Sequence, residues 1–221
     1  VKVKAINYIN DDPDFSRNLR NYRGQPDYVK MIGKICEYSH RTEFILSVVK
    51  DIWTKNNKQQ IMIIGHRKTQ LTYIHDAIKH RGFATVGYYI GGMKEKDLKI
   101  TEGKNIVVAT YKMAEEALDI KTLTTIVMST PKKDVRQAVG RILRKNGEKL
   151  VIDFIDQHDI FKRHWDKRRR WYNTQNFTIS MTDVEGYKED NWELVPSRKK
   201  SKKMKVNTEP YGSLLNGKCL L

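Results

Sequence analysis

Gln137, Arg141 and Arg144 stand at helical spacing in the run Gln137-Ala-Val-Gly-Arg-Ile-Leu-Arg144. A helix advances about 100° per residue, so these three polar side chains fall within roughly 60° of one another. Val135, Ala138, Val139, Ile142 and Leu143 cover the opposite side. One face can therefore be buried while an amide and two guanidiniums point together into a cleft or into solvent. Guanidinium forks match phosphate oxygens bidentately. A rigid pair of them suits a site that grips a phosphoryl group, as an arginine finger does. The same pattern also describes an amphipathic helix with a solvated basic face. The segment alone leaves both readings open.

The elements around it narrow the choice. Gln60 to Gly65 contains the apolar run Ile-Met-Ile-Ile, the pattern of a strand buried on both faces. A helix should follow from about Thr69, with Leu71, Ile74, Ala77 and Ile78 inward and Gly82 as its stop. Strands are expected at Thr85–Ile90, Ile106–Ala109, Thr124–Met128 and Leu150–Ile155. Short helices or turns fall at Lys94–Ile100 and Lys112–Ala117, and Asp134 is expected to cap the helix that runs to Lys145. Val1 to Tyr8 reads as a first strand, a polar loop follows to about Pro26, and Thr42 to Lys55 is the clearest amphipathic helix. Strands alternating with helices at this interval imply an α/β fold with a parallel sheet and helices on both faces. Ligands of such sheets gather beyond the carboxyl ends of the strands. The segments His66-Arg-Lys68, Gly91-Gly92, Thr110-Tyr111 and Thr130-Pro-Lys-Lys133 all fall there.

Composition bounds the partners. The chain has 221 residues, 39% of them hydrophobic, and a formal net charge of +16. That excess predicts a polyanionic partner, nucleic acid first and an anionic membrane surface second. The two cysteines, Cys36 and Cys219, give neither a disulfide framework nor zinc spacing, and they fit a reducing, intracellular compartment. No metal-ligand cluster is expected. No apolar run approaches the ~20 residues that span a bilayer, and the first residues read as a strand rather than a leader. Val1 is an unusual start, so the sequence is expected to be a piece of a longer protein. Residues 1–160 should form the main lobe, 161–195 a basic and aromatic extension, and 196–221 a flexible basic tail.

The order of these segments resembles the second RecA-like lobe of superfamily 2 helicases. Four stretches carry the resemblance. Ile61-Met-Ile-Ile-Gly-His-Arg67 is similar to the motif IV strand and loop, Tyr88-Tyr-Ile-Gly-Gly-Met-Lys94 to the segment that follows it, Val107 to Ile120 to motif V, and Gln137 to Arg144 to motif VI. The resemblance implies that His66, Arg67, Lys68, Gly91, Gly92, Lys94 and Thr110 contact a nucleic-acid backbone. It places Asp119 near the nucleotide ribose and has Glu116 brace the motif V loop. It gives Arg141 and Arg144 to the γ-phosphate of ATP, with Gln137 supporting them and Gly140 admitting a close helix approach. The family's motif V glycine is Ala117 here, so the backbone at that point is open to differ. A narrower similarity, running from Thr130 through Val151-Ile-Asp-Phe-Ile-Asp156 to Ile160-Phe-Lys162, is to helicases of large cytoplasmic DNA viruses and phages. These include the poxvirus-type transcript-release helicase and repair helicases. If viral, the protein would work in the host cytoplasm or the virion.

The sequence contains no Gly-x-x-x-x-Gly-Lys-[Ser/Thr] loop and no Asp-Glu-x-[His/Asp] run for magnesium. By the resemblance those belong to an N-terminal RecA-like lobe, which would hold most of ATP and Mg. This chain is then expected neither to bind ATP tightly nor to hydrolyse it alone. The basic run Phe161–Tyr172 has two compatible readings. It packs Phe161 and Trp165 on the lobe, or its Arg168, Arg169 and Arg170 extend a nucleic-acid track with Trp171 or Tyr172 stacking on a base. DNA is favoured over RNA as the polymer. The rival from another class is a non-catalytic nucleic-acid-binding module on the same fold. A small doubly wound nucleotide-binding enzyme is disfavoured, because no glycine-rich turn follows the first strand.

Overall fold

The computed structural model describes residues 1–116, 120–142 and 147–196, without the side chains of Glu116 and Ile142. Eight strands form one sheet in the order β3-β4-β2-β5-β6-β1-β7-β8. Their ranges are β1 Lys2–Tyr8, β2 Gln60–Gly65, β3 Val86–Tyr89, β4 Ile106–Thr110, β5 Leu123–Met128, β6 Leu150–Asp156, β7 Thr178–Asp183 and β8 Glu193–Leu194. All neighbours are parallel except β7 and β8. The central strands are covered on both faces, and β2 is buried at every position. That explains its unbroken apolar run.

Alternation within the strands divides two cores. Val3, Ala5, Met62, Ile64, Val107, Val151 and Ile155 face one side, where they meet Val135, Ala138, Val139, Trp165 and Tyr172. Those partners lie on α7 (Arg136–Ile142), on α8 (Asp159–Thr174) and in the loop before α7; α6 (Tyr111–Glu116) covers the same face. Ile6, Ile61, Ile63, Val108, Val127 and Phe154 face the other side, under α3 (Ser39–Lys55) and α4 (Lys68–Arg81). A third cluster, of Tyr8, Phe15, Met31, Ile32, Ile35 and Phe161, lies beneath α1 (Pro13–Ser16) and α2 (Tyr28–Glu37). Each fully buried branched side chain of this kind stabilises the fold by about 1.5–3 kcal/mol.

Several expectations shift. The stretch expected as a loop to Pro26 contains α1, capped by Asp12, whose carboxylate accepts from the Asp14 amide. α2 lay unread in the sequence, although Tyr28, Met31, Ile32, Ile35 and Cys36 recur at helical spacing; Asp27 caps it through the Lys30 amide. α4 ends as expected, with Gly82 left-handed at φ 63°. α5 spans Glu95–Glu102. α7 begins at Arg136, and the Val135 carbonyl accepts the first helical bond, from Val139. Val135 supplies the first accepting carbonyl, while the Asp134 carboxylate accepts the Arg136 amide, a side-chain cap of the kind expected, and also binds the Arg136 guanidinium.

The basic stretch set apart from residue 161 onward enters the same sheet. β7 pairs with β1 from Lys2↔Thr178 to Asn7↔Asp183, and α9 (Val184–Lys188) leads from it to β8. The tail from residue 197 lies outside the described residues. Among the described residues no helix is long and apolar enough to cross a membrane.

Candidate functional site

β2 lies between β4 and β5, so the loops after these three strands meet at the carboxyl edge of the sheet. The loop after β5, Ser129 to Val135, is the structural centre of that edge. Ser129 and Thr130 are fully buried. The Thr130 hydroxyl accepts the His66 amide at 3.1 Å and lies 2.8 Å from His66 Nδ1. The Tyr111 hydroxyl donates to the Thr130 carbonyl at 2.6 Å. The Tyr28 hydroxyl donates to the Pro131 carbonyl at 3.1 Å and lies 3.3 Å from His66 Nε2.

These partners select a tautomer for His66. Tyr28 spends its only proton on Pro131, so it accepts from Nε2–H, and Nδ1 accepts from Thr130. Burial, with Lys132 and Arg67 nearby, lowers the His66 pKa to about 4, so the ring is neutral. His66 therefore ties the β2 loop to the β5 loop rather than reaching out to a phosphate. Arg67 and Lys68 beside it are exposed, and Arg67 also donates to the Val29 carbonyl at 3.2 Å.

Two buried arginines clamp the β5 loop from opposite faces of β6. Arg41, on α3, binds both oxygens of Asp156 at 2.5 and 2.9 Å and donates to the Ser129 carbonyl at 2.7 Å. Arg168, on α8, binds both oxygens of Asp153 at 2.7 Å and donates to the Lys132 carbonyl at 2.7 Å. The side chains of both ion pairs are 0% exposed. Burial opposes the charge on Arg168, but Asp153 more than offsets it and raises the pKa.

Arg168 is thus a structural residue, contrary to the nucleic-acid role expected for it. Tyr172 cannot stack on a base either, because it is buried and its hydroxyl donates to Asp153 at 3.1 Å. Arg169 is half-buried and pairs with Asp166 at 3.5 Å, while Arg170 remains exposed. Phe161 and Trp165 pack on the lobe as the first reading of this helix had it.

The candidate arginine helix sits beside this loop. Val135, Ala138 and Val139 are buried, as its pattern predicted, and Gln137 is exposed. Arg141 is half-buried and donates to the Glu115 carbonyl at 2.5 Å. The Glu115 carboxylate binds Lys132 at 2.5 Å. One residue of α6 therefore holds both the loop and the helix. Gly140 does not mark a close helix approach: no described atom lies within 4 Å of a Cβ added there. Arg144 and Asp119 lie outside the described residues, and α6 ends at Glu116.

The remaining edge residues divide. The Thr110 hydroxyl accepts the Met113 amide at 3.4 Å, starting α6. Gly91 and Gly92 form an exposed turn in which Gly92 adopts φ 92°, and exposed Lys94 caps α5. A cavity of about 1000 Å³ lies elsewhere, at the amino ends of β1, β5 and β6 around Lys4, Thr125 and Ile152. It is remote from the carboxyl-edge loops. Among the described residues no cluster of metal-ligating side chains occurs. Sequence reading missed Arg41, Asp153 and Asp156. The available signal was two carboxylates inside the apolar strand Val151–Asp156, where a buried charge demands a cation.

Comparison with known proteins gives a consistent picture. No protein-family model matches the chain. It is 31% identical over 212 residues to "Putative ATP-dependent RNA helicase L396" of Acanthamoeba polyphaga mimivirus, covering 93% of this chain and 38% of that protein. The chain thus spans well under half the length of this curated relative. Among solved structures it is similar to T4 UvsW, with a TM-score of 0.61, 21% identity and coverage of 83% of this chain and 42% of that one. The C-terminal domain of the DEAD-box protein Dbp5 superposes with a TM-score of 0.54 at 14% identity, covering 66% of this chain and 87% of that domain.

Proposed function

We propose that this chain, whose fold is that of a RecA-like helicase lobe, serves as the second motor lobe of an ATP-dependent superfamily 2 nucleic-acid helicase or translocase. The carrying observation is the gathering of the β2, β4 and β5 loops at one edge, with Gln137 and Arg141 on the adjoining helix. In this reading ATP and its magnesium ion bind mainly to an N-terminal RecA-like lobe of the same protein. Closure of the two lobes presents Arg141 and Arg144 to the transferring phosphoryl group. The bond from Arg141 to the Glu115 carbonyl is exchanged for one to phosphate at that moment. Arg67, Lys68, Lys94 and Thr110 hold the nucleic-acid backbone, which makes movement largely independent of sequence. The mimivirus relative is named an RNA helicase. RNA therefore replaces DNA as the favoured polymer, against the expectation from sequence.

The test is Arg144→Ala, and separately Arg141→Ala, in the full-length protein. Nucleic-acid-stimulated ATP hydrolysis should be lost while nucleic-acid binding persists. Unchanged turnover would remove the finger assignment. Absence of ATP turnover in the full-length wild type would favour the rival reading, a non-catalytic binding module in which Arg141 rests permanently on Glu115.

A further inference from the structure

The basic helix α8 carries two kinds of cation. Arg168 is consumed by Asp153, whereas Arg163, Lys167 and Arg170 form an exposed stripe at helical spacing. Lys133, from the β5 loop, meets that stripe. Lys133 and Lys167 line one notch, and Arg170 adds a third charge near Lys167. Contact with Lys133, then burial, lowers the Lys167 pKa. Neighbouring His164 feels Arg168, Lys133, Lys167 and Arg163 together; burial first and these charges next lower its pKa to about 4. The acids at hand are occupied, with Asp166 on Arg169 and Asp134 on Arg136. The notch, of about 240 Å³, opens between Lys133 and Lys167, with Trp171 and the Asp134–Arg136 pair in its wall.

Two lysines facing one small open notch, with a further arginine close to one of them, repel one another, and an anion between them relieves that repulsion. The fold enforces the crowding. The Lys132 carbonyl is bound to Arg168, which fixes Lys133 over the third turn of α8. We propose that Lys133 and Lys167 form a phosphate-binding notch for the backbone of a single nucleic-acid strand, which leads from the carboxyl edge along the outer face of α8, where exposed Arg163 and Arg170 continue the positive charge. The notch rests on the motor-lobe reading and extends it to residues outside the motifs. It also moves the track expected of Arg168-Arg-Arg170 one helical face outward.

The experiment uses the 221-residue chain and a fluorescein-labelled RNA of roughly 20 nucleotides, longer than one binding groove needs. Anisotropy titrations at several salt concentrations give affinity and its salt slope. Lys133→Gln with Lys167→Gln should weaken binding on the order of tenfold at low salt and reduce the log–log slope by about 1.4, two contacts at ~0.7 each. Lys133→Arg with Lys167→Arg should restore both. Thermal melts check that the exposed substitutions leave the fold intact. Wild-type affinity and slope in the glutamine variant would overturn the proposal. Arg67→Ala with Lys68→Ala tests the motor-lobe reading separately. Loss there, with none in the glutamine variant, sinks the notch and leaves that reading standing. Inorganic phosphate is the second probe. If it binds the wild type in a lysine-dependent way while RNA affinity ignores Lys133 and Lys167, the notch is a free-anion site and the nucleic-acid proposal fails.

Discussion

Arg168 Nε and Nη2 each donate to a different oxygen of Asp153, both at 2.7 Å, and neither side chain is exposed. Tyr172 adds a third bond to the same carboxylate. Removing one partner leaves the other charged and buried, which costs about 3–5 kcal/mol. Arg168→Ala and Asp153→Ala should each lower the unfolding free energy by that amount, read from urea midpoints at unchanged m-value. The paired replacement Arg168→Met with Asp153→Leu should recover a large part, because an apolar pair of similar volume carries no desolvation penalty. Additive losses in the double variant would contradict the coupling.

His66 predicts a specific pH dependence. Its pKa is about 4 in the folded chain and 6.5 when exposed. Between those values the unfolded state binds the extra proton. The contribution of His66 is complete above pH 6.5 and declines as pH falls toward 4, reaching a loss of about 2 kcal/mol at pH 5. His158 and His164 are shifted in the same direction. Melting temperature should therefore fall on acidification from pH 7 to pH 5, and less steeply in His66→Asn. An equal slope in that variant would show that His66 titrates normally.

The two glycines of the β3 turn should respond differently. Gly92 holds φ 92°, whereas Gly91 has no positive φ and open space around it. Gly92→Ala should destabilise by about 1 kcal/mol, and Gly91→Ala should be close to neutral. Denaturant midpoints at unchanged m-value decide between them.

The isolated chain should show no ATP turnover, with or without RNA. Its sequence lacks the phosphate loop and the acidic run that bind the nucleotide and magnesium in the proposed motor. A sustained rate from chain purified to homogeneity would overturn the division of labour between lobes.

Much of this lobe was legible because its signals are local. The run Gln60–Gly65 could only be a doubly covered strand, and Gly82 stopped α4 where the periodicity ended. The order of strands was not legible, since parallel neighbours are chosen by packing across long separations. The roles within Arg168-Arg-Arg170 failed for a different reason. Residue type suggested three equivalent contacts, but Phe161, Trp165, Arg168 and Tyr172 share one helical stripe, and that stripe is the buried one. Phase, not composition, decides which arginine meets solvent. The same phase rule placed Val135, Ala138 and Val139 correctly. Arg141 was read as pointing into a cleft or into solvent, and the Glu115 carbonyl that receives it belongs to a separate helix 26 residues earlier.

β1 lies inside the sheet, flanked by β6 and β7, with Lys2 opposite Leu150 and Thr178. Its earliest partner in the chain emerges from the ribosome almost 150 residues after it does. β1 must therefore wait for β6, and the lobe cannot close its sheet until α7 and the loop before it have been made. Such distant pairing slows folding. It leaves β1 unpaired until β6 is made, so assembly of this lobe should be rate-limited by the docking of β1 between β6 and β7.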